Sequence, residues 1–266
     1  MIIAQLSDTH VCAEGAKAYE RVATNDMLAA AVDHLNALVP RPQVVIATGD
    51  LCHSGAKEEY AALRSLFAPL AMPVFLIPGN HDDRAELVSA FPEHDYLPQD
   101  GGFLHYVVEG YPLRLIALDT VIPGEAGGRM CKDRLTWLAE RLAEGGGRPT
   151  LVFMHHPPFL TGIGHMDEIG LEGAEEFGRI VLRHPEIERI VSGHLHRPIQ
   201  MRWRGTLAST APSTAHQVVL DLGPCAAGFY NLEPPACQIH LFEPAQGVVS
   251  HTSYIGSFAG PYRFPD

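Results

Sequence analysis

No run in this chain approaches the ~18 consecutive apolar residues that a membrane helix needs. The opening stretch, Met1-Ile2-Ile3-Ala4-Gln5-Leu6, has no basic residues and too short an apolar run for a secretory leader. Cysteine is scarce. The five (Cys12, Cys52, Cys131, Cys225, Cys237) are odd in number and scattered, and none form a C-x-x-C pair. That pattern argues against a disulfide framework and a structural zinc knuckle, so a cytoplasmic location is expected. Positive charge is short as well: 19 Lys+Arg against 31 Asp+Glu leaves −12. Such a chain has no net attraction for phosphate backbones or anionic lipid, so nucleic acid and membrane are not expected partners. There is no internal repeat and no low-complexity tract. With 46% hydrophobic and 19% charged residues in 266, the chain is globular, not disordered, and long enough for one large domain with a small appendage.

What the sequence does have is histidine, 15 of them, set in a pattern of short apolar runs alternating with amphipathic stretches. Strands are predicted at Ile2–Leu6, Gln43–Ala47, Val74–Ile77, Thr150–Met154 and Arg189–Ser192. Helices are predicted at Asn25–Leu38 (with Thr24 as a cap), Lys57–Phe67, Arg84–Ala90, Asp133–Ala143 and Glu175–Arg183. Phe103–Val108 with Leu113–Leu118, and Ile199–Trp203 with Thr206–Ser209, read as hairpins. Continuous apolar runs imply buried parallel strands and hairpins imply antiparallel ones, so mixed sheets covered by helices are expected. After Ser213, prolines at 224, 234, 235, 244, 261 and 265 punctuate a stretch without clear helices. The expected division is a main domain over 1–212 and a C-terminal lobe or tail over 213–266 that serves as a cap or in oligomerisation.

The five core strands end alike. Ile2–Leu6 runs into Asp8-Thr9-His10, Gln43–Ala47 into Gly49-Asp50, and Val74–Ile77 into Gly79-Asn80-His81-Asp82. Thr150–Met154 runs into His155-His156, and Arg189–Ser192 into Gly193-His194-Leu195-His196. In α/β folds, loops at the C-terminal edge of a sheet converge on one crevice. The residue types suit two metal ions. Asp8 and His10 are two apart, so one short loop can bring both onto one ion, and His194 and His196 have the same spacing. Asp50 has two oxygens with which to bridge cations about 3.5–4 Å apart. Asn80 adds a neutral oxygen. Gly49, Gly79 and Gly193 are expected to permit the turns that aim these groups. Singly, each residue is as well explained as a cap, a turn former or a core histidine; five segments in one order are not.

The set Asp8-x-His10, Gly49-Asp50, Gly79-Asn80-His81-Asp82, His155 and Gly193-His194-x-His196 resembles the signature of the calcineurin-like metallophosphoesterases. Its spacing is most similar to the class III cyclic-nucleotide phosphodiesterases and the bacterial glycerophosphodiesterases. The glycerophosphodiesterase likeness extends to Phe153-Met154-His155-His156-Pro157-Pro158 and Thr214-Ala215-His216-Gln217-Val218. The resemblance implies a four-layer α-β-β-α sandwich of two mixed sheets with two divalent ions (Fe, Mn, Zn or Co) between them. It places Asp8, His10 and His196 on one ion, Asn80, His155 and His194 on the other, and Asp50 across both. It implies hydrolysis of small phosphodiesters by hydroxide generated at the ions, with Asp50, Asn80 and His81 as the catalytic set. His81 would steady phosphoryl charge and protonate the leaving alkoxide, or else hydrogen-bond Asp8 or Asp50. His216 and Tyr19, with His81, are candidate substrate contacts. His156, Asp82 and Asp83 are expected to support or cap, and Asp119 to be structural.

Protein Ser/Thr phosphatases carry Asp-Arg-Gly close after Gly-Asp, and an Arg before Gly-Asn-His-Glu. Here Leu51-Cys52-His53 follows Asp50 and Pro78 precedes Gly79, so phosphoprotein is not the expected substrate. The expected substrates are 3′,5′-cyclic nucleotides, glycerophosphodiesters or both, and a homo-oligomer is expected from the apolar residues of Ser253–Phe264. Two alternatives stay open: a broad phosphoesterase acting on monoesters or nucleic-acid ends, and a non-catalytic scaffold on the same fold.

Overall fold

A computed structural model of the chain describes residues 1–224 and 227–264; Cys225 and Pro265 lie outside the described residues. Five segments build the first half of the chain's core: β1 (Ile2–Leu6), α1 (Thr24–Ala37), β2 (Val44–Thr48), α2 (Lys57–Phe67), β3 (Val74–Ile77). After these come α3 (Arg84–Ala90), the hairpin β4 (Tyr106–Val108) and β5 (Arg114–Leu118), the short β6 (Gly128–Arg129), and α4 (Lys132–Glu144). The chain continues through β7 (Thr150–Met154), α5 (Gly164–Asp167), β8 (Leu171–Glu172), α6 (Ala174–Val181), β9 (Ile187–Ser192), β10 (Gln200–Trp203) and β11 (Thr206–Thr210). It ends in β12 (Gln217–Val218), β13 (Tyr230–Asn231), β14 (Ala236–Glu243) and β15 (Gly247–Tyr254). Among the described residues no helix is long and apolar enough to cross a membrane.

Two sheets carry the structure, in the orders β15-β14-β1-β2-β3 and β10-β11-β9-β7-β5-β4. Both are mixed: β1-β2-β3 and β11-β9-β7-β5 are parallel, and the outer pairs are antiparallel. The two-residue alternation of a strand sorts side chains into layers. On β7, Leu151 and Phe153 join the core shared with the first sheet, while Val152 and Met154 join the core under α4 and α6. On β5, Leu115 and Ala117 divide from Ile116 and Leu118 in the same way. All eight are fully buried, and the larger ones contribute roughly 1.5–3 kcal/mol each in removed apolar surface. Strands buried on both faces, with α1–α3 outside one sheet and α4 and α6 outside the other, make the expected four-layer sandwich.

The strand and helix limits expected from periodicity hold to within a few residues. Thr24 is a correction: it is the first residue of α1 rather than its cap, and its hydroxyl donates to the His10 carbonyl at 2.8 Å. Asp119 is structural, as expected. It is buried, pairs with Arg84 at 2.8 Å, and accepts from the backbone of Leu104 and Val121.

The segment after Ser213 contains four strands that the sequence reading left unassigned. β12 and β13 form a small ribbon, and β14–β15 extend the first sheet beside β1. The alternation on β14 is disguised because its buried positions include Gln238 and His240. His240 Nε2 lies 3.1 Å from Gln5 Oε1, and Gln5 Nε2 donates across the sheets to the Ser192 carbonyl and to Thr48 Oγ1, each at 3.0 Å.

Burial, with Arg189 adding to it, pushes His240 down to about 3, and burial pushes His105 down to about 4. Both imidazoles stay neutral in the folded chain, whereas unfolded they take up a proton near pH 6.5. Stability is therefore full above pH 6.5 and declines as pH falls toward 4, by about 1.4 kcal/mol per unit for each such group. In urea titrations from pH 7 to pH 5, His240→Gln is expected to show a shallower pH slope than the parent. Equal slopes would show that His240 does not titrate on unfolding.

Candidate active site

The site lies where the C-terminal ends of β1, β2, β3, β7 and β9 meet, and local backbone strain marks it before any chemistry does. Asp8, His10, Asp50, His194 and His196 all have positive φ, between 43° and 69°. L-residues with a Cβ adopt this region at a cost of about 1–3 kcal/mol, and such strain clusters at functional sites. The β1 and β2 loops hold this shape by continuing their pairing beyond the strands. The amides of Asp8, His10 and Val11 donate to the carbonyls of Gly49, Asp50 and Leu51 at 2.9–3.0 Å.

The three glycines work chiefly by close approach. Gly49 does turn at φ +87, but Gly79 and Gly193 do not have positive φ. A Cβ on Gly79 would sit 2.2 Å from the Asp50 backbone nitrogen. One on Gly193 would sit 2.8 Å from the Thr48 carbonyl. The loops touch backbone to backbone, and that contact brings their side chains to one place.

Those side chains form two adjoining groups. Ligand atoms of Asp8, His10, Asp50 and His196 all lie within 4.8 Å of one another. Beside them, His155 Nε2 is 3.4 Å from Asp50 Oδ1 and 3.1 Å from Asn80 Oδ1. His194 packs against His155 with ring centroids 5.1 Å apart. Backbone carbonyls set the imidazole tautomers: Thr48 takes His155 Nδ1 at 2.8 Å, His216 takes His196 Nδ1 at 2.9 Å, and Ile169 takes His194 Nε2 at 3.1 Å. Each ring is left with one lone pair pointing away from its anchor, the arrangement of metal-ligating histidines. Asp8 Oδ2 and His10 Nδ1 are buried with no hydrogen-bond partner, and His10 Nε2 and His196 Nε2 face each other at 3.2 Å. Burial pushes Asp8 upward. Burial also opposes ionisation of Asp50, but His155, His81 and His10 hold its carboxyl well below the usual range. His10 falls well below its ordinary value through burial, and His194 to about 3, so both are neutral and able to donate a lone pair. A buried set of converging imidazole nitrogens and carboxylate oxygens fits divalent cations of the Mn, Fe, Co and Zn kind.

The surrounding residues separate by hydrogen bonding. His156 lies in one cluster with His155 and His194, but its Nδ1 is engaged by Thr120 Oγ1 (2.8 Å) and its Nε2 by the Ala126 carbonyl (3.1 Å). Asp82 accepts from the amides of Leu51, Cys52 and Gly79 and from Tyr60 Oη, which ties the β2 loop to the β3 loop. Asp83 caps α3 by accepting from the Glu86 amide at 2.9 Å. His81 donates its amide to Asp50 Oδ1 at 2.9 Å, and its Nδ1 meets the His53 carbonyl at 2.7 Å.

A cavity of about 430 Å³ opens over the cluster, and Tyr19, His81 and His216 all line it. His216 is buried among His10, His196, Tyr19 and Tyr230. Sequence reasoning missed Tyr230, which stacks on Tyr19 with centroids 5.0 Å apart and lines the cavity. The only sequence signal for Tyr230 is an aromatic pair after Gly228 in a stretch otherwise without Phe, Tyr or Trp. The pairing of β12 with β13 brings it to the site.

The calcineurin-like phosphoesterase family profile matches residues 1–198. A probable glycerophosphodiester phosphodiesterase, GpdQ, of Arcobacter nitrofigilis is 38% identical over 265 residues, covering 99% of this chain and 97% of the relative. GpdQ of Enterobacter lignolyticus is 33% identical, covering 100% and 95%. The 3′,5′-cyclic adenosine monophosphate phosphodiesterase CpdA of Pseudomonas aeruginosa is 33% identical, covering 82% and 77%. A dimetal phosphatase from Danio rerio shares the fold, with TM-score 0.63, 17% identity and 96% and 99% coverage.

Proposed function

This chain belongs to the calcineurin-like phosphoesterase family, and from that premise we propose a dinuclear-metal phosphodiesterase that hydrolyses small diesters such as glycerophosphodiesters and 3′,5′-cyclic nucleotides. The observation that carries the reading is the convergence of Asp8, His10, Asp50 and His196 within 4.8 Å, beside Asn80 and His155. In this reading Asp8, His10 and His196 hold one ion, Asn80, His155 and His194 the other, and Asp50 touches both. The relatives' named activities support the diester.

Two divalent cations would supply Lewis acidity at the phosphoryl oxygens and a source of hydroxide near neutral pH. The chain's own contribution is placement. His81 fixes one oxygen of Asp50 through its amide, and the His53 carbonyl holds the His81 Nδ1 proton. His81 Nε2 is then the nitrogen available to the substrate, and in the imidazolium form it gives its proton to the departing alkoxide as the P–O bond breaks. Tyr19, His216 and Tyr230 wall the space where that alcohol sits.

Activity toward bis(p-nitrophenyl) phosphate should vanish with a chelator and return with Mn²⁺, Co²⁺ or Zn²⁺. It should exceed activity toward p-nitrophenyl phosphate under the same conditions; equal or greater monoester cleavage would favour the broad phosphoesterase. Metal uptake without turnover of any phosphoester would favour the scaffold. His81→Ala should keep its metal content and lose 10²- to 10³-fold in kcat. Loss of metal with the remaining turnover per ion unchanged would assign His81 to metal retention.

A cytoplasmic location accords with the four free cysteines among the described residues. Phe258, Tyr262 and Phe264 stand exposed beyond β15 and support a homo-oligomer. Light scattering is expected to give at least a dimer, and a monomer would remove that reading.

A further inference from the structure

The cavity over the metal-ligating cluster has room for more than a phosphoryl group, and its walls bear on what the ester arms are. Tyr19, Met166, His216, Val218, Phe229 and Tyr230 line it together with members of the cluster itself. Among the described lining residues there is no Lys or Arg. Arg197, next in sequence to His196, spends its guanidinium on the Val218 carbonyl (2.7 Å) and Glu233 (2.6 Å). An adjoining cavity of about 390 Å³, which shares Met166, carries Glu125, Asp167, Glu168 and Glu172. The arginine on that side, Arg129, is paired with Glu172 at 2.6 Å. Two ring nitrogens at the main cavity, His165 Nδ1 and His216 Nδ1, are buried without a hydrogen-bond partner.

We propose that this cavity selects diesters whose alcohol arms are neutral or cationic and rejects arms that carry a further negative charge. The inference rests on the phosphodiesterase reading and adds the chemistry of the arm. A hydroxylated arm finds imidazole and phenol groups to bond. An ammonium arm finds the faces of Tyr19, Tyr230 and Phe229 and the carboxylates of the rim. A carboxylate or phosphate on the arm leaves water, meets no cationic side chain on the walls, and approaches Glu125 and Glu168 of the adjoining cavity; both effects oppose binding. The single anionic charge the site accepts is then that of the diester itself.

Two isosteric substrates isolate charge from size: glycerophosphoethanolamine acylated on nitrogen with a succinamoyl group (neutral) or a succinyl group (anionic). With the Mn²⁺-loaded full chain, kcat/KM for the succinyl compound should be at least tenfold below that for the succinamoyl compound. The same order should appear in calorimetric dissociation constants for His81→Ala, in which turnover is slowed. Phe229 is largely exposed at the rim, and Phe229→Arg should raise the anionic-to-neutral ratio several-fold. Equal kcat/KM and equal affinities for the isosteres would overturn the selection rule while leaving the phosphodiesterase reading intact. Turnover of bis(p-nitrophenyl) phosphate but of neither isostere would overturn the selection rule alone, and turnover of none of the three with any divalent metal would overturn both.

Discussion

Asp50→Ala is expected to abolish activity, by at least 10³-fold at saturating Mn²⁺, and to leave a protein that no longer retains either ion through gel filtration. The reason is position. Asp50 Oδ1 lies 3.4 Å from His155 Nε2 on one side, and Oδ2 lies 3.7 Å from His10 Nε2 on the other, so one carboxylate spans both groups of ligands. Its loss halves the anionic charge of the cluster, leaving Asp8 alone among imidazoles and an amide. A readout independent of turnover separates loss of metal from loss of chemistry. An ion that binds only the folded chain stabilises it by RT ln(1 + [L]/Kd), about 2.7 kcal/mol at a hundredfold excess over Kd. The parent should therefore melt higher when Mn²⁺ is added, and Asp50→Ala should not respond. Asp50→Asn, which suits the positive φ of 50° better than Ala does, should behave the same way, because charge rather than backbone shape is what has been removed. A Mn²⁺-dependent melting shift of parental size in both variants would show that Asp50 does not hold the ions.

The metal-ligating candidates could be read from the chain because each lies within four residues of a strand end, at a position where β1, β2, β3, β7 or β9 must deliver it. Periodicity locates those strands, since they are largely buried on both faces and read as predominantly apolar runs. Two kinds of information were not local. One was the far wall of the cavity. Tyr230 arrives through the pairing of Gln217–Val218 with Tyr230–Asn231, two residues on each side, too short to leave a periodic signal. The other was β14, whose buried side includes Gln238 and His240. Their polarity is satisfied by Thr252, Ser250 and Gln5, contacts made only after the sheet assembles. The glycines show a third limit. Their presence at 49, 79 and 193 was legible, but for 79 and 193 the cause was not the turn that a glycine usually suggests. Steric contact between loops 29 or more residues apart is invisible in either loop alone.

That contact sets the effect expected of Gly79→Ala. The added methyl would lie 2.2 Å from both the backbone nitrogen and Oδ1 of Asp50, and 2.8 Å from Cε1 of His155. The Asp50 nitrogen is main chain and cannot swing aside. Nor can the β2 loop retreat freely, because Asp82 clamps it to the β3 loop through the amides of Leu51, Cys52 and Gly79. The strain must separate Asn80 and His155 from Asp50, which are the contacts of one ion site, while Asp8, His10 and His196 on the other side are untouched. The variant should lose about 3 kcal/mol of stability, the upper part of the usual range for overpacking. It should hold one ion in place of two and fall at least 10²-fold in kcat. Gly164→Ala is the matched control: it lies close to the cavity mouth, has no positive φ, and its Cβ would meet nothing within 4 Å. That variant should keep parental stability, metal content and rate. Two ions and a near-parental rate in Gly79→Ala would mean that the loops yield without parting, and that their close approach does not set the distance across the metal pair.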